Sequence, residues 1–413
     1  MFFFFFFFFD ETNGKKSNRF FENAKWQEKA NKGEWSELYT LYKLLSEQNL
    51  YPINLDTKKG QRLRMPILSI LRHTEQYLKA EYKIEEDGQI VINANGHEII
   101  QIPKSNFDAY ASKLFEAIKK GAIKKETTKQ GSKDPAFPLP EFNEFRKSTC
   151  CPNIKCYSKK LGNGKKDKSD IYIVIHDIVT GQTPTQGFSI KSEIGHPPTL
   201  LNATNLTNFK YKLSENLPED KVAQINSMVD SRRHADIKGR VRAILNEHVS
   251  LEFSTINPDA KGNYVFLENL MLVDSMLPQI ISHLLVMSYS EDTRLLDELT
   301  DKLSKFNPIG FPMKTNKRQY EAKIRRFVTD IALGMVPSAP WEAEHQAYGM
   351  LVVNKKGEID CYHIIYRKSL EDYLYKNLKF ETASASRYGF GKIELGSDGC
   401  QYFTLNLQLR FTK

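Results

Sequence analysis

The sequence predicts a mixed α/β fold in which a central mixed β-sheet is flanked by helices, with additional helical and C-terminal β elements. Three observations support this prediction: hairpin-forming strands in the first half, amphipathic helical segments in the middle and strands again at the end. A chain of 413 residues can bury one large core or two medium ones. Its 40% hydrophobic and 26% charged residues are typical of a globular protein.

The first half of the chain predicts helices separated by β-hairpins. The turn sequences Asp87-Gly88 and Asn95-Gly96 separate short apolar strands, and Ser105 can cap the helix that follows them. The predicted segments are a helical region at 26–49, strands around 82–84, 90–92 and 99–102, a helix at 105–118 and a linker at 134–140.

The second half predicts helices between two groups of strands, and no internal repeat is present. The predicted helices are Glu219–Val229, His234–Glu247, Tyr264–Ser288 and Gln319–Met335. The predicted strands are Phe209–Leu213, Met350–Val353, Tyr362–Tyr366 and Thr404–Phe411.

The amino terminus consists of Met1, eight phenylalanines and Asp10. This stretch is too short to span a bilayer and lacks the charged start and cleavage site of a signal peptide. We interpret it as the translation of a homopolymeric tract, from a misplaced start or a slippage site. Residues 1–18 are therefore expected to be a tail outside the fold, and residues 19–413 to form the folded part.

Positive charge is concentrated in four runs, within a net charge of +9 and a pI near 9.0. Any single run is typical of a solvated face, but four together favour a surface that binds phosphate groups. The runs are Lys119, Lys120, Lys124, Lys125, Lys129 and Lys133; Lys159, Lys160, Lys165, Lys166 and Lys168; Arg232, Arg233, Lys238, Arg240 and Arg242; and Lys317, Arg318, Lys323, Arg325 and Arg326.

Several classes of protein are disfavoured by what the sequence lacks. Five cysteines in so long a chain do not form a disulfide framework, so we expect a reducing, cytoplasmic compartment. Cys151 and Cys156 have no matching second pair that would indicate structural zinc. The sequence contains neither a phosphate-binding Gly-rich loop nor a serine-hydrolase elbow, and it has no apolar stretch long enough for a membrane helix.

The most informative pattern is a predicted hairpin that carries an acid and a lysine. Asp170 begins a β-branched apolar strand, a turn follows at 181–184, and Ser189 and Lys191 lie on the returning strand. Symmetric folding about the turn would bring Lys191 nearly opposite Asp170. A carboxylate there could hold a divalent metal beside an ammonium that stabilises charge on a phosphate. From spacing alone, a solvated hairpin with one charged face remains an alternative.

Two carboxylates near the start of the first helical region could complete such a metal site. Glu34 and Glu37 are three residues apart, so both can face the same way on a helix. They could equally stabilise the positive end of the helix dipole. The residues alone leave both roles open.

The carboxyl end carries a pattern suited to reading DNA bases. In the predicted terminal strand Asn406, Gln408 and Arg410 alternate with leucines, and these three residue types make bidentate contacts with base edges. A solvated edge strand would have the same pattern. Just upstream, Arg387 and Lys392 lie in a glycine-containing loop that could approach a phosphate or a base.

With these residues in view, the chain resembles the HpaII-type restriction endonucleases from about residue 20 to 413. The resemblance implies a restriction-endonuclease-like fold, Mg²⁺ dependence and cleavage of double-stranded DNA at a short palindrome, CCGG for the founding member. It also implies a partner methyltransferase, and it leaves open whether the chain is a homodimer. The segments that carry the resemblance are 33–37, 168–171, 187–192, 198–203, 207–209, 386–392 and 405–411.

The resemblance maps the catalytic motif onto Asp170, Ser189 and Lys191, with Ser189 where an acid is common in the superfamily. A hydroxyl is a poorer magnesium ligand than a carboxylate. Either a water or a neighbouring carbonyl would then complete the coordination, or Glu37 or Glu193 would join Asp170 as a metal ligand, with Glu34 as a further candidate.

The same resemblance implies that two parts of the chain have different functions. Residues 27–215 would form the nuclease core and 216–413 the DNA-recognition elements, and Lys165 and Lys166 would contact phosphate. Two alternatives keep the fold: a DNA-binding protein with little or no hydrolytic activity, and a repair nuclease without sequence preference.

Overall fold

The computed structural model describes residues 30–55, 63–75, 78–120, 139–151, 154, 168–178 and 180–412. The predicted tail, most of the predicted linker, and Lys165 and Lys166 lie outside these residues. The chain divides into two units, one formed by Met1–Gly195 with Ala347–His363 and the other by His196–Gln346 with Ile364–Lys413.

This division differs from the predicted boundary near residue 215. The first unit ends at Gly195, and Ala347–His363 returns to it from far along the chain. The cause is strand pairing, because Gly349–Val353 hydrogen-bonds to a strand of the first unit. Which unit performs which function stays a prediction.

The strands alternate with helices along the chain, as a mixed α/β fold requires. In order, the described strands are β1 (Asn49–Leu50), β2 (Met65–Glu75), β3 (Leu78–Ile84), β4 (Gln89–Ala94), β5 (His97–Pro103), β6 (Ile171–Ile175), β7 (Thr185–Ser192), β8 (Thr199–Leu201), β9 (Asn208–Leu213), β10 (Leu251–Ile256), β11 (Gly349–Val353), β12 (Ile359–His363), β13 (Leu378–Phe380), β14 (Ile393–Leu395), β15 (Gln401–Asn406) and β16 (Leu409–Phe411).

The described helices lie mainly in the second half of the chain. They are α1 (Lys32–Glu47), α2 (Lys104–Lys120), α3 (Asn143–Ser148), α4 (Glu219–Ser227), α5 (Ile237–Asn246), α6 (Val265–Val273), α7 (Leu277–Ser290), α8 (Leu296–Phe306), α9 (Asn316–Leu333), α10 (Arg367–Asn377) and α11 (Ala385–Tyr388).

The first unit is built on one mixed sheet, which confirms the predicted fold class. Its strand order is β12-β11-β7-β6-β2-β3-β4-β5, with β1 paired to β2. In this order, as far as the described ranges show it, β11 and β7 pair in parallel and the other neighbouring strands are antiparallel. The hairpins around Asp87-Gly88 and Asn95-Gly96 form as predicted, with Asn95 and both glycines at positive φ.

Helix α1 covers the core face of this sheet. Its apolar positions recur at helical spacing, and Trp35, Leu38 and Leu45 are fully buried with Ile171 of β6 and Phe188 of β7. The helix begins at a capping box, so its start is specified locally. The sheet and α1 therefore share one hydrophobic core.

The second unit contains two smaller sheets and most of the helices. One sheet has the order β10-β9-β15-β14, and the other β13-β16-β8. The predicted helix over 264–288 is broken into α6 and α7, because Asp274 accepts a hydrogen bond from Met276 N–H at 2.9 Å and Pro278 lies in the first turn of the next helix.

No single helix in the described ranges is long and apolar enough to cross a membrane. The bent pair α6 and α7 passes the same test of length and composition only when its two helices are taken together. Its residues Leu270, Leu277 and Leu284 are buried within the protein.

A buried histidine on β12 makes the first unit sensitive to acid. The imidazole of His363 hydrogen-bonds Oε1 of Gln186 at 2.7 Å, and burial lowers its pKa to about 4. In the unfolded chain this group titrates near pH 6.5, so between pH 6.5 and 4 the unfolded state takes up a proton that the folded state does not.

We predict that His363→Gln reduces this acid sensitivity. The parent should lose about 2 kcal/mol between pH 7 and pH 5 through His363, and the variant should lose correspondingly less. Urea unfolding at the two pH values measures the difference. His176→Gln, at an exposed position of the same unit, is the matched control and should behave as the parent. An equal loss in His363→Gln and the parent would assign the acid sensitivity to other groups.

Candidate active site

The predicted hairpin forms, and its register brings Asp170 next to Ser189. Ile171 pairs with Phe188, and Asp170 N–H donates to the Phe188 carbonyl at 2.8 Å. Lys191 lies two residues beyond Ser189, and alternation along β7 puts these two side chains on one face. The sequence predicts Lys191 nearly opposite Asp170; the register puts Ser189 opposite Asp170 and Lys191 two residues further along, and all three belong to the same end of the hairpin.

The Asp170 carboxylate is held in place by the strand opposite. Its Oδ2 accepts a hydrogen bond from Ile190 N–H at 2.7 Å. A carboxylate bonded to a main-chain N–H has a fixed position and retains lone pairs for another partner. Asp170 is only partly exposed, so it is both ordered and reachable.

A second lysine, which sequence reasoning did not assign to the site, lies at the same place. Burial and then the positive charge of Lys191 lower the pKa of Lys168 to about 8, while Asp170 opposes the shift. Lys168 therefore belongs to one electrostatic cluster with Asp170 and Lys191. In the sequence, the spacing could have indicated that Lys168 belongs to the site. Lys168 precedes Asp170 by two residues, and in an extended chain such residues lie on one face.

Ser189 is the member of the predicted motif whose polar atom is buried without a protein partner among the described residues. Its side chain is 1% exposed, and Oγ has no hydrogen-bond partner among the residues described. A buried hydroxyl without a partner costs free energy, so such an atom indicates an unfilled role. An oxygen beside a carboxylate is a donor set that hard divalent cations accept.

The predicted metal ligands, Asp170, Glu37 and Glu193, are not arranged as a complete metal-binding site. Within the described ranges, no group of three or more His, Cys, Asp or Glu residues is arranged to hold a metal ion. Glu193 instead lies near Tyr362 of β12, where burial first, then Asp360 and Glu193, raise the tyrosine pKa. The assignment of Asp170, Glu37 and Glu193 as ligands stays a prediction.

Glu34 performs the local role that sequence analysis gave as its alternative. Its carboxylate accepts from Asn31 N–H at 2.9 Å while Asn31 Oδ1 accepts from Glu34 N–H at 3.0 Å. Glu37 is half-buried on the same helix. Helix α1 is joined to β7 by a hydrogen bond of 2.9 Å between Ser36 Oγ and Ser192 Oγ.

The predicted terminal strand is divided between two sheets, so the predicted shared face is wrong. β15 ends at Asn406 and β16 begins at Leu409, and each pairs with different neighbours. The predicted alternation fails at Leu405, Asn406 and Leu407, which are all buried. The chain leaves β15 after pairing with β9 and crosses to β8 and β13.

Asn406 is buried and bonded within the protein. Its Nδ2 donates to Thr204 O at 2.8 Å, Thr207 Oγ1 at 3.2 Å and Asn208 Oδ1 at 2.7 Å. The side chain is fully buried, in contrast to the exposed position expected of a base-reading residue. This geometry is typical of an amide that joins loops and strands.

Gln408 and Arg410 remain partly exposed but no longer share a strand with Asn406. Arg410 Nη1 donates to Pro197 O at 2.8 Å, and its Nε lies 3.8 Å from Glu381. By contrast, Arg387 in α11 and Lys392 on the loop between α11 and β14 are both exposed. The DNA-binding roles of all these residues stay predictions.

A mixed sheet that presents an aspartate, an unpartnered hydroxyl and two lysines at one hairpin defines a candidate nuclease of the restriction-endonuclease class. The comparisons agree. The chain belongs to the HpaII restriction endonuclease family, whose model matches residues 31–411. Type II restriction enzyme HpaII of Haemophilus parainfluenzae is 37% identical over 383 residues, which cover 92% of this chain and 98% of that enzyme. No solved structure matches the chain.

Membership of the HpaII restriction endonuclease family confirms the predicted resemblance and shows which class of activity the protein has. The family consists of site-specific deoxyribonucleases, whose substrate is DNA and which act in restriction–modification systems. Type II restriction endonucleases generally use divalent metal ions. The acid, hydroxyl and lysines described above are the residues of this chain that suit such chemistry.

We predict that Asn406→Ala destabilises the protein rather than only changing its DNA preference. The buried Asn208 Oδ1 would lose its donor, and the bonds to Thr204 and Thr207 would be lost with it, at a cost of about 1–3 kcal/mol. Urea unfolding measures this loss. Gln408→Ala, two residues away and partly exposed, should change stability by no more than about 0.5 kcal/mol. An Asn406→Ala variant as stable as the parent but altered in site preference would restore the base-reading interpretation.

Proposed function

We propose that this protein is a Mg²⁺-dependent type II restriction endonuclease that hydrolyses both strands of DNA at CCGG. The proposal rests on one observation: Asp170 is held by Ile190 N–H beside the unpartnered Ser189 Oγ, in one electrostatic cluster with Lys168 and Lys191. The choice of CCGG rests on the family resemblance.

Asp170 and Ser189 are the residues that would hold Mg²⁺, with Glu37 or Glu193 as further carboxylates. When bound, Mg²⁺ would polarise the scissile phosphate and lower the pKa of a bound water. A single carboxylate beside two lysines carries little negative charge, so the phosphate itself would supply oxygen ligands. Ser189 then contributes a neutral oxygen to a site whose charge is balanced by DNA.

The two lysines would act on the phosphate and the attacking water. Lys191, on the same face as Ser189, would orient the water or stabilise negative charge that develops in the transition state. Lys168, partly buried beside it, would neutralise a phosphate oxygen. Lys191 lies on β7, where it pairs with Val352 of β11, so its backbone needs little reorganisation during the reaction.

A digest of supercoiled plasmid with and without Mg²⁺ tests the function and its rivals. Discrete fragments that require Mg²⁺ support the proposal, whereas no cutting favours a DNA-binding protein and a smear favours a nonspecific nuclease. We further propose that a homodimer acts on the two-fold symmetric site. A dimer should cut both strands in one encounter, so accumulation of nicked circles would contradict that part.

We predict that Asp170→Ala and Lys191→Ala lose cleavage while specific DNA binding persists, because both side chains act mainly in the transition state. The expected loss is roughly 10²–10⁴-fold or more in single-turnover rate. Gel-shift titration of the cognate duplex measures binding in parallel. Cutting by either variant within tenfold of the parent would remove the hairpin from the active site.

Ser189→Ala should be milder than Asp170→Ala. A hydroxyl fills at most one coordination position or orients one water, and it brings no charge. The Mg²⁺ concentration needed for half-maximal rate should rise more than the saturated rate falls. A loss as severe as that of Asp170→Ala would make Ser189 an essential ligand.

We propose that a separate DNA methyltransferase of the same restriction–modification system protects the host. A methyl group in the major groove would occupy space that close contact with a cytosine or guanine edge requires. Genomic DNA from the native host should therefore resist this enzyme, while the same DNA after amplification without methylation is cut. Full digestion of native host DNA would contradict the proposal.

A further inference from the structure

The second unit contains a pocket that the cleavage chemistry does not use. It has a volume of about 350 Å³ and lies where the loop between α11 and β14 meets Ala235 and Arg240. Its lining includes Ser386, Phe390 and Lys392. The volume lies at the low end of the ~300–1,000 Å³ of small-ligand pockets, enough for one nucleotide-sized group.

Buried polar side chains hold the wall of this pocket rigidly. Arg240, 3% exposed, donates from Nη1 to Gly391 O at 2.6 Å. Asn208 Nδ2 donates to Tyr388 O at 2.8 Å, and Asn226 both donates to and accepts from the backbone of Ile393. The loop backbone is therefore fixed before any ligand arrives, which reduces the entropic cost of binding.

One glycine of the loop has no substitute. Gly391 has φ +84°, and a Cβ there would lie 2.2 Å from Cδ1 of Ile237. Gly389, at φ +60°, lines the pocket, and a Cβ there would meet no atom within 4 Å. The backbone thus passes close to α5 at one glycine and opens toward the pocket at the other.

The lining combines one aromatic face with groups of both charges. Phe390 is 6% exposed and lines the pocket, so it offers a small apolar contact to a ligand. Lys392 and Glu394 are two residues apart, so they share a face, and both are exposed. The guanidinium of Arg240 adds a buried positive charge.

These groups match a base that carries both an amino group and a carbonyl oxygen. A carboxylate accepts from the amino group, while an ammonium or guanidinium donates to the carbonyl oxygen. Cytosine and guanine have both groups, whereas thymine lacks the amino group and adenine lacks the carbonyl. A concave pocket can surround such a base only after it has left the duplex stack.

We infer that this pocket receives one cytosine or guanine of the recognition site, turned out of the duplex and in apolar contact with Phe390. Glu394 would contact its amino group, and Lys392 its carbonyl oxygen. This inference rests on the proposed site-specific cleavage and adds how part of the site is read.

When one base turns out of the duplex, the base that was paired with it becomes reactive. Chemical probing of that remaining base tests the inference and identifies which base has left the stack. The Asp170→Ala protein is bound to the cognate duplex, then treated with kethoxal, which modifies unpaired guanine, or chloroacetaldehyde, which modifies unpaired cytosine. If cytosine leaves the stack its guanine partner reacts with kethoxal, and if guanine leaves its cytosine partner reacts with chloroacetaldehyde. One reactive position on each strand of the symmetric site, absent from a scrambled duplex, is expected.

Filling the pocket should abolish that signal. In the Asp170→Ala background, Ser386→Trp places an indole at the exposed rim of the pocket. We expect at least a fivefold loss of the reactive position and roughly tenfold or more weaker binding to the cognate duplex, with scrambled-duplex binding unchanged. Ser397→Trp, exposed in the same unit and outside the pocket lining, is the matched control and should behave as its parent.

A second variant tests the charge of the pocket lining rather than the volume of the pocket. Glu394→Gln, at an exposed position, keeps the size of the side chain and removes its charge, so it should weaken cognate binding without altering the fold. No reactive base in a saturated cognate complex, or unchanged reactivity in Ser386→Trp, would overturn the inference while site-specific cutting by the parent stands. Loss of site-specific cutting by the parent enzyme itself would overturn the proposed function, and this inference with it.

Discussion

The candidate site depends on the pairing of β6 with β7, which the side chain of Asp170 completes. Its carboxylate accepts from Ile190 N–H at 2.7 Å, at the end of the ladder that pairs Ile171 with Phe188. A slip of one residue would turn Ser189 and Lys191 to the opposite face. Gly187 helps prevent this, because Ser169 Oγ lies 2.1 Å from where a Cβ would be, so the two strands approach closely only at this register.

The strand that carries Ser189 and Lys191 is supported on both edges and on one face. β6 lies along one edge, and β11 pairs in parallel along the other from Gly349 to Val353. The pairing continues beyond Lys191, where Glu193 N–H donates to Val353 O at 2.9 Å. Helix α1 is joined to the same strand through Ser36 and Ser192. A side chain on so well supported a strand keeps its position through a reaction cycle.

In the second unit, polar side chains are largely committed to the backbone and to one another. Asn406 donates hydrogen bonds to Thr204, Thr207 and Asn208, and Arg240 donates one to Gly391. Buried polar groups need such partners, so residue types that could read a base are as readily used to hold a loop. The exposed charges of the loop between α11 and β14 are available for a ligand because other side chains hold its backbone.

The sequence by itself determined the family, and it determined the local elements and the hairpin that carries Asp170 and Lys191. The local elements could be predicted because turn chemistry and residue period depend on only a few neighbouring residues. It predicted the hairpins at Asp87-Gly88 and Asn95-Gly96 and the positions of α4, α5 and α9 to within a few residues, but it joined α6 to α7 and missed α8, α10 and α11. Only the tertiary structure decided that β11 lies beside β7, that the C-terminal strand divides between two sheets and that Lys168 joins Asp170. Period identifies the faces of a strand but not its neighbours, and a side chain's burial and charge environment depend on segments far away in the chain.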